Sequence, residues 1–106
     1  MAFSATLVVE DTIAKITLSG ELDAATAPAF RTEIEKAAQS KPSRLVLMLE
    51  DLEFMASAGL RVLIFAKQKM GADVDVYAVG AQEGIRDTLV KTGFDKSVII
   101  VDTYTD

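Results

Sequence analysis

The chain has 106 residues, of which eleven are basic and sixteen acidic, so that its net charge is −5, and half of its residues are hydrophobic. This length predicts one domain over residues 1–106, and the negative charge argues against a nucleic-acid backbone or an anionic membrane as the main partner. Cysteine and histidine are absent, which excludes thiolate chemistry and removes the commonest general base and metal ligand. We therefore expect no metal or other cofactor. Because no apolar run approaches the roughly 20 residues of a spanning helix, we also expect a cytoplasmic protein.

The first elements predicted along the chain are a hairpin and a helix. Residues 3–9 and 13–19 are β-prone, and polar and apolar side chains alternate in the second segment, as in a half-exposed strand. A helix is expected to begin near Thr26 or Ala27, because Pro28 is tolerated in a first turn and the following apolar residues recur at helical spacing. These apolar residues are Ala27, Phe30, Ile34 and Ala37.

The middle of the chain predicts a buried strand, an acidic loop and a second helix. Residues 45–49 form an unbroken apolar run, which is typical of a central strand covered on both faces. The acidic residues 50–53 are expected to form a loop after it. A helix is predicted over residues 57–70, and Gly71 is expected to end it.

The remaining segments complete an α/β pattern. A strand is predicted over residues 74–79, a third helix over residues 82–92, and a short strand over residues 98–101. The alternation of strands and helices predicts a small α/β domain with a mixed, largely parallel sheet, an N-terminal hairpin strand at one edge and three crossover helices. The C-terminal surface is expected to be uncovered and free for contacts, which makes a weak homodimer one of the expected assemblies.

Ser57 is the candidate switch residue. A serine just before a helix is usually an N-cap that contributes about 1 kcal/mol, and this interpretation stands beside a functional one. Ala56, Ala58 and Gly59 surround the hydroxyl with little side-chain bulk, which leaves the backbone open to close approach by another molecule. A phosphate on Ser57 would lie at the positive end of the helix dipole and would add charge to an already acidic surface. The domain would stay folded while a partner was repelled.

The predicted helix after Ser57 also offers a binding face. At 100° per residue, Arg61 and Phe65 fall on the side opposite the apolar stripe. Because arginine and aromatic residues are enriched in interface cores, both are candidate partner contacts, and burial of Phe65 under the third helix or a loop is the alternative. An enzyme is not expected, because no histidine can relay a proton from Ser57 and Lys67 lies about 15 Å along the helix axis.

Four segments together form a recognisable pattern. They are Gly20-Glu21-Leu22-Asp23 before the first helix, the acidic approach over residues 49–55, Ser57-Ala58-Gly59-Leu60, and Thr92-Gly93-Phe94. In this combination the chain resembles a STAS domain, and specifically the single-domain anti-sigma factor antagonists of bacteria.

The resemblance implies a function and assigns roles to residues. In that family an anti-sigma factor that is a serine kinase phosphorylates the serine at the position of Ser57. The unphosphorylated protein binds the anti-sigma factor and frees the sigma factor, and a PP2C-type phosphatase restores the unmodified form. The family's aspartate after the first hairpin, which is linked to kinase contact, corresponds to Asp23, and complementing a helix dipole is its alternative role. The predicted partner contacts are Asp23, Ala56, Ala58, Gly59, Arg61 and Phe65.

One departure from the family pattern supports an alternative function. The residue before the phosphoacceptor is often Asp or Ser in the family, whereas it is Ala56 here, so a polar contact to the hydroxyl is missing. This departure favours a non-phosphorylated STAS docking subunit of a transporter or a stress-signalling assembly.

Overall fold

The computed structural model describes residues 3–104. Within this range, five strands and three α-helices alternate after an initial hairpin. In chain order they are β1 (Ser4–Glu10), β2 (Ile13–Leu22), α1 (Ala27–Gln39), β3 (Arg44–Met55), α2 (Ser57–Met70), β4 (Asp75–Val79), α3 (Glu83–Lys91) and β5 (Ile99–Val101), with a 3₁₀ turn at Phe94–Lys96.

The five strands form one sheet in the order β1-β2-β3-β4-β5. β1 pairs with β2 in antiparallel fashion, and the other neighbours are parallel. This arrangement confirms the predicted α/β fold with a mixed, largely parallel sheet, a hairpin strand at one edge and three crossover helices. Because each helix joins neighbouring strands in the same direction, right-handed crossovers place all three helices on one face of the sheet.

The main core lies between that face and the helices. The predicted apolar face of α1 is confirmed, since Ala27, Phe30, Ile34 and Ala37 are all buried. α2 covers the predicted range, and Gly71 ends it with a φ of +90°. None of the helices described between residues 3 and 104 has the length and apolar character needed to cross a membrane.

The prediction of an acidic loop over residues 50–53 is wrong, because β3 continues through these residues to Met55. In this half of the strand the buried residues are Leu49, Leu52 and Met55, which are three apart. The pairing of β3 with β2 changes register twice, between Thr17 and Ser19 and between Gly20 and Glu21. These irregularities break the period of two by which a strand is recognised in sequence.

No α-helix within residues 3–104 covers the sheet face opposite the three helices. Val46 and Val79 are fully buried, yet they lie outside the cluster of side chains that packs against the helices. Val46 stands between Lys15 and Tyr77 in the strand register. The expected burial of the central strand on both faces therefore holds at Val46. On this face its cover comes from neighbouring side chains and from the segment after β5, and not from a second set of helices.

Tyr104 supplies part of this cover. Its ring packs edge-on against Tyr77 with 5.2 Å between centroids, and Lys15 Nζ lies 5.5 Å from the ring centre. Arg44 Nη1 donates a hydrogen bond of 3.1 Å to the Tyr104 hydroxyl. This hydrogen bond is the main cause that raises the pKa of Arg44 above its ordinary value. Tyr104 thus ties the segment after β5 to three strands.

We expect Tyr104→Ala to lower the free energy of unfolding by about 1–2 kcal/mol, because it removes an aromatic pair together with the cover over Val46. Tyr104→Phe keeps the ring and loses only the hydrogen bond to Arg44, so its effect should be smaller. Urea unfolding followed by circular dichroism measures both. Equal stability of Tyr104→Ala and wild type would show that the segment does not cover this face.

Candidate functional site

The junction of β3 and α2 positions Ser57. The Ala56 N–H donates to the Leu22 carbonyl at the end of β2 over 2.8 Å, which ties the two neighbouring strand ends together. The carbonyl of Ala56 accepts hydrogen bonds from the N–H groups of Gly59 and Leu60 at 2.9 and 3.3 Å, so the helix begins directly after the strand, at Ser57. Ser57 is the first helical residue, and its side chain is exposed.

The interpretation of Ser57 as an N-cap is wrong. Ala56 occupies the N-cap position with extended backbone angles, φ −84° and ψ 173°, and no side chain caps the helix. Among residues 3–104, the Ser57 hydroxyl has no hydrogen-bond partner, and the Ser57 and Ala58 amides, which belong to the first turn, have no acceptor. The hydroxyl is therefore accessible and does not contribute to holding the helix in place.

The small residues around Ser57 do not share one role. Ala56 and Ala58 are partly exposed beside the hydroxyl, as the prediction of open access requires. Gly59 is buried, and a Cβ at this position would lie 2.7 Å from Cδ2 of Leu22. Its lack of a side chain thus has a packing reason, and the expected contact of Gly59 itself with a partner would be limited by that burial.

Asp23 organises the turn between β2 and α1. Its Oδ1 accepts hydrogen bonds from the N–H groups of Ala25 and Thr26 at 3.0 and 3.1 Å. The Asp23 N–H in turn donates to the Thr26 hydroxyl at 2.9 Å. The half-buried carboxylate therefore has a local role before α1 through these hydrogen bonds, and its contact with a kinase stays a prediction.

An acidic groove runs along the part of β3 that leads to Ser57. Glu50, Asp51 and Glu53 are exposed, and with Ser19 and Gln82 they line an open groove of about 710 Å³. Gln82 Nε2 donates to the Glu50 carbonyl at 3.1 Å, which links the start of α3 to this strand. The acidic residues predicted to precede Ser57 are thus carried by a strand, whose backbone is less mobile than that of a loop.

Two exposed apolar residues near Ser57 were not singled out from the sequence. Phe54 is 50% exposed and Ile64 is 47% exposed. Ile64 lies seven residues after Ser57 and three after Arg61, so these three exposed side chains share one face of α2. A helical projection that starts from Ser57 instead of the apolar stripe would have found Ile64.

Arg61 and Phe65 differ in accessibility. Arg61 is exposed, in agreement with its predicted place opposite the apolar stripe, and it shares this face of α2 with Ser57. Phe65 is only partly exposed and packs against the core, and the guanidinium carbon of Arg31 lies 4.1 Å from its ring centre. The ring is thus partly covered, but the alternative named the wrong element, because α1, and not the third helix or a loop, provides Arg31.

Between residues 3 and 104, no three histidine, cysteine, aspartate or glutamate side chains are grouped so that they could hold a metal ion. The candidate functional features around the junction of β3 and α2 are an accessible hydroxyl, an acidic groove and exposed side chains of α2.

Comparisons with known proteins point to one family. The family model described as STAS domain matches residues 4–106. The anti-sigma-F factor antagonist RsfB of Mycobacterium tuberculosis is 28% identical over 105 residues, which cover 99% of this chain and 86% of RsfB. An anti-sigma factor antagonist from Mycobacterium paratuberculosis has a similar crystal structure, with a TM-score of 0.88, 28% identity, and coverage of 96% of this chain and 87% of that one.

The fold is also that of SpoIIAA, which is 22% identical to this chain. Unphosphorylated SpoIIAA superposes with a TM-score of 0.77, covering 93% of this chain and 87% of that one. The phosphorylated form of SpoIIAA, a Bacillus cell fate determinant, superposes with a TM-score of 0.70, covering 93% and 90%.

Proposed function

The chain belongs to the STAS domain family, and on this premise we propose that it is an anti-sigma factor antagonist controlled by phosphorylation of Ser57. In the unmodified form it binds an anti-sigma factor that is a serine kinase, and the sigma factor is released. Phosphorylation of Ser57 ends this binding, and a PP2C-type phosphatase restores it. The 28% identity to RsfB over nearly the whole chain supports the antagonist role. Such a regulator would act in the cytoplasm.

The observation that carries the proposal is the uncommitted, exposed hydroxyl of Ser57. A kinase must place the hydroxyl in line with the γ-phosphate of ATP, which is possible only for an accessible side chain. Ser57 meets this condition because Ala56 occupies the cap position and the neighbours of Ser57 in the chain are small. The fold does not depend on the hydroxyl, so its modification leaves the helix intact.

The first turn of α2 can also accommodate a phosphate. The free Ser57 and Ala58 amides and the positive end of the helix dipole favour negative charge at this position. SpoIIAA, which has the same fold, has been solved in both its unphosphorylated and its phosphorylated form. Both points support a modification that changes the binding surface and preserves the fold.

The direct test is phosphorylation by the cognate anti-sigma factor kinase. Incubation with this kinase and ATP should add one phosphate to wild type, and peptide mass spectrometry should place it on Ser57. Ser57→Ala should take up none, whereas Thr88→Ala, which removes a hydroxyl from α3, should be modified like wild type. Absence of incorporation into folded wild type, or unchanged incorporation into Ser57→Ala, would contradict the proposal.

Ala56 is the observation that favours a second candidate, a STAS docking subunit that is never phosphorylated. In place of the polar side chain often found there, Ala56 contributes only its backbone, which is bonded to Leu22 and within α2. A docking subunit would bind a permease or an ATPase with unchanged affinity after Ser57→Asp, and no kinase would modify it.

Changing Ala56 to Ser should increase the rate of Ser57 phosphorylation if the missing polar contact limits the kinase.

A further inference from the structure

A groove between α1 and α2 adjoins Ser57. It has a volume of about 500 Å³, and the nearly buried side chains of Ala27 and Val62 contribute to its lining. Ala58, which follows Ser57, borders it, and Arg31 from α1 and Arg61 from α2 also line it. The groove therefore combines a small apolar floor with two cationic side chains that come from different helices.

Among the residues that the structure describes, these two arginines lack an anionic partner, although the chain has more acids than bases. Among residues 3–104, neither Arg31 nor Arg61 forms an ion pair, whereas Arg86 pairs with Asp102 at 3.4 Å. Arg31 is held by the ring of Phe65, 4.1 Å from its guanidinium carbon, and this contact leaves its N–H donors available. A cationic site thus lies beside the phosphoacceptor of a protein with a net charge of −5.

We propose that this groove receives a glutamate side chain of the anti-sigma factor kinase. The inference rests on the proposed function and names the chemistry by which the partner is bound. Guanidinium groups bind carboxylates with paired hydrogen bonds, and two of them facing one groove match a single carboxylate better than they match a neutral group. The apolar floor fits the methylene groups of glutamate. Phe65 then acts as a positioning residue for Arg31.

The position of Arg61 links the groove to the switch. Arg61 lies four residues after Ser57, and side chains at this spacing are neighbours on a helix. A phosphate on Ser57, with a charge of about −1.5 to −2, would attract Arg61 and compete with the glutamate of the kinase. Phosphorylation would therefore remove one of the two cations from the groove and place negative charge beside it.

The test measures the affinity of the unphosphorylated protein for the cognate kinase by calorimetry. Arg31→Glu combined with Arg61→Glu should weaken binding by about 100-fold or more, because two attractive contacts become repulsive. Lys69→Glu combined with Lys91→Glu makes the same change in net charge at exposed positions outside the groove, and should change the affinity by less than about threefold. Arg31→Gln combined with Arg61→Gln is a milder variant if the charge reversal impairs folding, and should weaken binding by at least about tenfold.

The outcomes separate this inference from the function on which it rests. Arginine variants that bind as tightly as the lysine control would overturn the proposal that the groove receives a glutamate of the kinase. The proposed phosphorylation of Ser57 would be unaffected by that result. A wild-type protein that neither binds the kinase nor is phosphorylated would overturn both. A further expected result is that Phe65→Leu weakens binding less in the background of Arg31→Gln than in wild type, since Phe65 acts through Arg31.

Discussion

Ser57→Asp should bind the anti-sigma factor kinase about 10- to 100-fold more weakly than wild type. The substitution places a carboxylate where the partner must approach closely, at the start of the helix that follows the acidic residues of β3. It should not destabilise the fold, because a negative side chain in the first turn of α2 interacts favourably with the helix dipole by about 0.3–1 kcal/mol. Calorimetric titration measures the affinity, and urea unfolding measures the stability.

Ser57→Asn is the matched control for this experiment. Asparagine has nearly the size of aspartate and no charge, so it should keep most of the affinity if charge is what weakens binding. Equal losses for Asp and Asn would mean that the shape of the side chain matters and that charge does not. Wild-type affinity of Ser57→Asp would contradict the proposed effect of a negative group at this position.

Gly59→Ala should lower the free energy of unfolding by about 1–3 kcal/mol. A Cβ at this position would lie 2.7 and 2.8 Å from Cδ2 and Cγ of Leu22 and 2.9 Å from Cγ of Met55. Leu22 is fully buried and Met55 is 7% exposed, so neither side chain can move away easily. The gain of up to about 1 kcal/mol from replacing glycine in a helix offsets only part of this cost.

Gly84→Ala provides the comparison, because it adds the same methyl group to a helix where nothing lies within 4 Å of the new atom. It should leave stability unchanged or raise it by up to about 1 kcal/mol. Thermal and urea unfolding of both variants therefore separate helix propensity from packing. A Gly59→Ala protein as stable as Gly84→Ala would contradict the close approach of α2 to the strand ends.

The close packing at Gly59 connects the fold to the site. It lets the first turn of α2 lie directly on the ends of β2 and β3, where Ala56 is bonded to the Leu22 carbonyl. Ser57 is therefore presented from a rigid junction, so a partner binds it without first ordering a loop. A variant at Gly59 that still folds is expected to bind the kinase less tightly for this reason.

Elements whose signals are local could be predicted from the sequence. The sequence predicts the second helix at its observed bounds, because its apolar spacing is regular and Gly71 follows it. It does not predict the second half of β3, because the buried residues there are three apart and the pairing with β2 changes register twice. Nor does it show that Ala56, and not Ser57, is the N-cap, since this depends on the hydrogen bond between Ala56 and Leu22, which are far apart in the chain.

The site could be predicted only where its residues are close together in the sequence. Ser57 and its small neighbours are adjacent in the sequence, and a resemblance to a known family identified them together. Arg31 and Arg61 are thirty residues apart, and only the packing of α1 against α2 brings both to one groove. The position of the Phe65 ring, under Arg31, likewise depends on that packing. Neither feature has a signal in the sequence.

The most direct test of the account compares one preparation of the protein before and after phosphorylation. The cognate kinase should phosphorylate it at Ser57, and the modified protein, purified away from the kinase, is then titrated with fresh kinase. We expect the affinity to fall by at least about tenfold, with a return to the original value after treatment with a PP2C-type phosphatase. An unchanged affinity of protein fully phosphorylated at Ser57 would contradict the central claim that this residue switches partner binding.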